Sequence, residues 1–515
     1  MKKIIISITL FSMLSVFTGC AKFLDVQPED RMIQEQVKEN ELAIYSLLNG
    51  IYMRMADNSM YGHYLTMSIV ECLAQRFSNT NDNMPYYHIT RGAFFHERGQ
   101  NALASIWEAL YVQCLGINDL LIVLDETTLP IATSRMSMLR AEALALRAFY
   151  HFDILRLWGP RFGDQNAFNN EAFMPYNTSA IGEILPFLTA DSVIKRIMED
   201  LNEASELLRQ FDPIITRGIV TEITFDPRQD FFLNRNYRMN YYAVMATKAR
   251  VYQWIEQHEN AYLAAKTILD APRVVNGTLF PWVEPRRVSA EFNPDRLFSP
   301  EIIFGIHSRN MYSNFDGLFA PQLSVTSELT PLQHRTGNRL HTTFASQATG
   351  NLPDESDMRY IHLWRIAGGD KGDQKAFMKY SRPTRRGDPL NPIFGEFFQP
   401  LIRISEMYYI AAESYARWHN TPAAAQEAAK YLNTVMERRG LRPLTNIQTL
   451  EDLNRGIYRE YEKEFFGEGQ LFYYLKRHNI NEVPHPSTPQ VTTTIALRFP
   501  IPLKELEARV QTDNE

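Results

Sequence analysis

IRISEMYYIAAESYARWHNTPAAAQEAAKYLNTVMERRGL, residues 402–441, decides the fold, because it reads as two helices, Arg403 to Trp418 and Pro422 to Arg438, joined by a tight turn. Pro422 suits the first position of the second helix, where its missing N–H would have had no partner, and so short a connection makes the two helices antiparallel neighbours. The same plan recurs on both sides. Tyr237 to Gln257 and Glu259 to Leu269 form a second predicted hairpin, and Leu450 to Phe466 leads into Gln470 to Arg477. Upstream, Glu35 to Met55 places Leu42, Tyr45, Leu48, Ile51 and Tyr52 three and four residues apart, as one apolar helix face requires, with Leu65 to Phe77 as its expected partner. Ala102 to Leu124 and Thr133 to Leu157 follow, the latter stopped by Gly159-Pro160. Thr189 starts a helix that runs through Leu208 on Val193, Ile197, Leu201 and Ala204.

Helix pairs repeated along a chain bury their faces by stacking on their neighbours. The expected class is mainly α: a tetratricopeptide-like solenoid over 20–270 and 400–515, all one domain from residue 20 to 515. Between them, 271–399 is dense in Pro, Gly, Asn and Arg, with short strand-like runs at Glu301 to Ile306 and Phe377 to Ser381. This irregular subdomain is expected on the ligand side, since long loops in compact proteins are more often functional than filler.

At the start of the chain, Met1-Lys2-Lys3 is a positive segment and Ile4 to Phe17 an apolar run too short to span a bilayer. Phe17-Thr18-Gly19-Cys20 closes it. Residues 1–19 read as a lipoprotein signal peptide and Cys20 as the lipid attachment point, because only a thiol accepts the diacylglycerol. Two or three acyl chains there anchor the protein stably. No later stretch reads as apolar enough to cross a membrane.

From residue 20 onward the chain carries 51 basic and 59 acidic residues, a formal charge of −8, which argues against nucleic acid as a partner. Cys72 and Cys114 are expected as two buried thiols, with a disulfide left open by their spacing. The histidines form no HExxH and no Cys-x-x-Cys exists, so no metal or other cofactor is expected. The run Asn79-Thr80-Asn81-Asp82-Asn83 lacks the acidic count of a calcium loop and reads as an Asn-rich turn. Glu406 and Glu413 lie about 10 Å apart on one helix face, beyond the spacing of a glycosidase pair. Arg403, Arg438 and Arg439 are their expected ion-pair partners, so no catalytic residue is assigned.

Aromatic rings interleaved with polar side chains in loops are the remaining functional signal, because ring faces stack on sugars while amides and guanidiniums meet hydroxyls. Arg76 to Gln100 offers Tyr86, Tyr87, Arg91 and Phe94; Trp282 to Phe319 offers Trp282, Arg309, Asn310, Tyr312 and Phe315. These nine are the candidate ligand contacts.

Several strings resemble one family. FLDVQPE (23–29), ALRAFYHFDILRLWGP (145–160), ADSVIKRIMEDLNEASELL (190–208), IRISEMYYIAAESYAR (402–417), LNTVMERRGL (432–441) and RFPIPLKEL (498–506) are similar, in order, to segments of the SusD/RagB outer-membrane lipoproteins of the Bacteroidetes. The resemblance implies a nutrient-binding, non-enzymatic lipoprotein, lipid-anchored in the outer membrane and exposed at the cell surface. It would capture oligosaccharide or peptide and deliver it to a TonB-dependent SusC-type transporter, its ligand site built from loops of roughly the two regions above. Leu471 and Tyr474 depart from the family's Arg and Asp, exchanging an ion pair for apolar packing. The competing readings are a surface glycoside hydrolase and a tetratricopeptide-type interaction scaffold.

Overall fold

A computed structural model describes residues 37–77, 81–271, 278–324, 329, 339–346, 352–368, 374–384, 395–486 and 491–512; Cys20 lies outside them. Helices α1 (Glu41–Met55), α2 (Glu97–Glu126), α3 (Thr133–Trp158), α4 (Ala190–Phe211), α5 (Tyr241–Trp254) and α6 (His258–Leu269) pack each on the next. After the insertion, which contains α7 (Met311–Leu318), the series resumes with α8 (Ile404–His419), α9 (Pro422–Arg438), α10 (Leu450–Glu464) and α11 (Gln470–Arg477), then α12 (Leu503–Thr512). Local signals set the starts. Thr189, Thr421 and Thr449 each accept a backbone N–H of the first turn, and Thr449 with Asp452 completes a capping box. The α4 residues Val193, Ile197, Leu201, Ala204 and Leu208 are all buried, and α3 is buried on all sides from Ala141 to Trp158, between α2 and α4.

Four details depart from the sequence reading. Leu42 is exposed, since it lies about 200° around α1 from Ile44, which is buried with Tyr45, Leu48, Ile51 and Met55. Leu65 to Phe77 is helical only over Ile69–Leu73, because side chains there engage backbone groups instead: Thr66 donates to the Tyr61 carbonyl and Ser68 to that of His63. By length and composition α2 passes as a membrane span, yet it packs against α1 and α3 and buries Leu103, Ile106, Leu110, Ile117 and Leu124 as a core helix. The second strand-like run is shifted, with Lys375–Phe377 pairing Trp364–Ile366. Cys72 and Cys114 are separate buried thiols. Leu471 and Tyr474 are buried, Tyr474 against Tyr458 and Tyr461.

The insertion is stitched at its ends. Strand β3 (Ile302–His307) pairs antiparallel with β6 (Phe398–Arg403), from Ile302 opposite Arg403 to His307 opposite Phe398; β1 and β2 (Ala172–Met174, Leu188–Thr189), β4 and β5 (Trp364–Ile366, Lys375–Phe377) and β7 and β8 (Glu482–Pro484, Thr492–Thr494) are the other, shorter ribbons. A Cβ on Gly305 would lie 2.5 Å from the Phe398 ring and 2.6 Å from the Gln399 carbonyl, so the close approach of β3 to β6 requires glycine. With the ribbon closed, α8 packs on α6 across the whole insertion.

At the Arg403 end of the ribbon lies a buried ionic network. Arg439 donates to Glu301 (2.6 and 2.9 Å) and Glu464 (2.6 and 3.0 Å); Arg403 reaches Glu464 (2.5 Å) and Glu468 (2.7 Å). Arg359 pairs with Asp357 (2.8 Å), Glu460 (2.8 Å) and Glu464 (2.9 Å), while Lys379 engages Glu468 and Lys463 engages Glu460. Burial works to raise the Glu464 pKa, but the guanidiniums of Arg439 and Arg403 outweigh it and hold the carboxyl well below its ordinary range. We expect Glu464→Gln, which leaves three arginines short of their shared anion, to lower unfolding free energy by about 3–5 kcal/mol in urea titrations; a loss within experimental error would show the network to be dispensable.

Candidate functional site

At the opposite end of the β3:β6 ribbon lies a cleft of about 420 Å³. Its walls are Asn49, Tyr52 and Met53 from α1, Ala56 and Asp57 beyond it, Tyr237 and Arg238 from the turn before α5, and Ile306, His307, Arg309 and Asn310 from the end of β3. On the solenoid side, Asn49, Tyr52, Tyr237 and Arg238 are fixed by partners. Arg235 pairs with Asp212 (2.9 Å) and with Glu142, pinning the 235–238 turn to α3. Tyr52 donates to Glu142 (2.7 Å) and accepts the Met239 N–H (2.8 Å), and Arg238 donates to Asn49 (2.7 Å) while its guanidinium lies 3.7 Å above the Phe231 ring. Tyr237 stacks on Phe398 with centroids 3.9 Å apart, and burial pushes its phenol up to about 12. Burial, then the neighbouring Arg309, lowers the His307 pKa, so the imidazole is neutral at neutral pH and offers both a donor and an acceptor.

A second hollow of about 320 Å³ adjoins the first through Arg309 and is lined by Tyr312, Ser313, Arg382, Pro383 and Phe397. Phe397 bridges the two, its ring 5.4 Å from His307 and 4.8 Å from Tyr312. Its backbone is held at φ +58°, in the left-handed region that a bulky residue rarely adopts, which aims the ring between the hollows. Asn314, on α7, donates to the Gly62 carbonyl (2.9 Å) and fastens this wall to the turns after α1. The pair of hollows presents ring faces, amides, an imidazole and guanidiniums to one ligand. That inventory suits hydroxyl-rich rings.

Of the nine expected contacts, Arg309 and Asn310 line the cleft, and Tyr312 backs the second hollow while remaining 7 % exposed. The others lie elsewhere. Tyr86 is buried beside His63, Phe94 packs edge-on against Phe499, and Phe315 is buried on α7. Tyr87 lies under Arg91, whose guanidinium is 3.7 Å above the ring, away from both hollows. Trp282 packs against Tyr408 (5.2 Å) and under Arg439 (5.3 Å), on the side of the ionic network. Sequence reasoning missed Tyr52, Tyr237, Arg238, His307, Arg382 and Phe397. Only Phe397 carried a usable signal, in the aromatic run Phe394-Gly395-Glu396-Phe397-Phe398.

Glu406 and Glu413 do not face each other across a cleft. Glu406 is engaged by Arg250 (2.6 and 2.7 Å) and Glu413 by Arg477 (2.5 and 2.6 Å) and Arg417 (3.0 Å); the expected partners Arg403 and Arg439 belong to the network instead. Among the described residues no group of His, Cys, Asp or Glu is arranged to hold a metal ion.

Residues 22–214 match the family model described as "Starch-binding associating with outer membrane", SusD-like, and residues 388–507 match that of the "SusD family". The chain belongs to the SusD/RagB family. Solved SusD-family structures agree with the fold: a SusD-like protein from Bacteroides fragilis NCTC 9343 has a TM-score of 0.63 at 16 % identity, covering 94 % of this chain and 98 % of its own. A SusD superfamily protein from Bacteroides thetaiotaomicron VPI-5482 has 0.61 at 19 %, covering 90 % and 97 %. A laminarin-binding SusD-like protein has 0.59 at 17 %, covering 91 % and 98 %. No functionally curated protein matches the chain.

Trp282 tests the placement of the rings. We expect Trp282→Ala to destabilise the fold by roughly 2–4 kcal/mol in chemical denaturation, as removal of a packed aromatic does, while saccharide binding per folded molecule stays unchanged; a stable variant with lost binding would return Trp282 to the site.

Proposed function

We propose that this SusD-family protein captures a soluble oligosaccharide in the double hollow without cleaving it. It is tethered to the outer membrane through lipidated Cys20, exposed at the cell surface, and passes its cargo to a TonB-dependent SusC-type transporter. The observation that carries the reading is the cleft itself, where the rings of Tyr237, Phe397 and His307 stand beside Asn49, Asn310 and Arg309 on a rigid frame. A relative of the same fold described as laminarin-binding supports saccharide over peptide as cargo. The occupied states of Glu406 and Glu413 support capture over hydrolysis.

Affinity electrophoresis on a polysaccharide panel, followed by calorimetry on the oligomers of whichever retards the protein, tests this. Combined His307→Ala and Asn310→Ala changes should weaken binding about tenfold or more, the cost of two or more lost hydrogen bonds, with the melting temperature nearly constant because both side chains are exposed. Failure of every polysaccharide to retard the protein, binding of peptides alone, or accumulation of new reducing ends would each sink the reading.

Attachment is tested separately. Cys20→Ser should move the protein from the membrane pellet to the soluble fraction, since the acyl chains supply the anchoring; retention in the pellet would mean another element holds it.

A further inference from the structure

The charges around the two hollows are unevenly matched. In the larger cleft Arg238 faces Glu142 (3.4 Å), Asp57 has Arg54 as its charged neighbour, and Glu396 acts on His307. Among the described residues, the smaller hollow is lined by two guanidiniums, Arg309 and Arg382, of which only Arg382 is paired with a carboxylate, that of Asp316. Arg382 donates through Nε (3.0 Å) and Nη2 (2.8 Å) to a single oxygen, Oδ2 of Asp316; the Arg382 side chain is exposed and that of Asp316 is partly buried. Arg309 is exposed and forms no hydrogen bond or ion pair among the described residues. It is also the wall that the two hollows share. A ligand long enough to occupy both therefore crosses a guanidinium that has no protein partner among the described residues, with the Phe397 ring beside it.

We propose that the captured saccharide is acidic. An anionic substituent, the carboxylate of a uronate or a sulfate ester, rests on Arg309 at the crossing, and Arg382 supplies a second set of donors. The inference rests on the capture reading above and adds the ligand's charge to it. Guanidinium suits the task because its planar fork of N–H donors matches a carboxylate or sulfate bidentately and is weakly hydrated, so little is lost on binding. Phe397 and the His307 imidazole meet the sugar ring that carries the charge. Asp316 competes with the ligand for Arg382 and so tempers the affinity.

Calorimetry on the mature protein decides the matter with matched probes: oligomers of galacturonate, glucuronate and mannuronate beside their methyl esters, sulfated chondroitin oligosaccharides beside their desulfated forms, and neutral laminari-oligosaccharides. We expect at least one charged probe to bind roughly tenfold or more tighter than its neutralised counterpart, as one charge-assisted contact provides, with the preference shrinking as salt is raised. The uronate and sulfate arms identify which anion is read. Arg309→Met should abolish the preference with no change in melting temperature, Arg309→Lys should keep part of it, and Asp316→Asn should strengthen charged binding by releasing Arg382. Equal binding of each charged probe and its neutral counterpart, binding of neutral oligosaccharides alone, or a preference that survives Arg309→Met would overturn the acidic ligand and leave saccharide capture standing. Binding of no saccharide, or of peptides only, would overturn capture itself.

Discussion

The buried network at the base of the β3:β6 ribbon is the constraint on which the rest of the molecule depends. Arg359, Arg403, Arg439, Lys379 and Lys463 face Asp357, Glu301, Glu460, Glu464 and Glu468, five cations and five anions, all buried. Desolvating any one of them alone would cost several kcal/mol, so the set is tolerable only when every member has its partner. Its members come from the insertion, from the start of α8, from the end of α9 and from α10 and the turn after it. A structure in which these segments docked out of register would bury unpaired charge. The network therefore acts as a registry device more than as a source of net stability.

From that clamp the ribbon runs six residues, about 20 Å, to the cleft. Its far end delivers His307, Arg309 and Asn310 on one strand and Phe397 and Phe398 on the other, while Tyr312 and Phe315 behind them are committed to packing. The cleft wall is thus held at one end by charge pairing and at the other by α7 and Asn314. The contacts fixed by partners, Tyr52, Tyr237 and Arg238, are in place before a ligand arrives, so less of the interaction is spent on ordering those side chains.

How much of this was legible in the sequence follows from how local each signal is. Helices such as α4 and α9 announce themselves through caps and periodicity contained within one segment, and the bounds of Pro422–Arg438 and Gln470–Arg477 are reproduced. The cleft is different, because its walls come from near residues 52, 237, 307 and 397 and meet only after the solenoid has stacked. Aromatic content in a loop does not say which ring faces water: adjacent Phe94 and Phe95 are 8 % and 69 % exposed. Ion-pair partners suffer the same limit. Glu406 finds Arg250 on α5, and Glu413 finds Arg477 on α11, through tertiary packing that spacing along α8 does not encode.

The stacking of α8 on α6 across the insertion has a consequence for how such a protein can diversify. About 135 residues separate the end of α6 from the start of α8, and closing a loop already that long depends only logarithmically on its length. Doubling it would cost about 0.6 kcal/mol of chain entropy. Whole segments of the ligand-facing region can therefore be lengthened, shortened or exchanged at little thermodynamic penalty, provided that β3, β6 and the charged residues at their base are kept. The solenoid side of the cleft, with Asn49, Tyr52, Tyr237 and Arg238, stays fixed, and the side supplied by the insertion is the part that can be replaced.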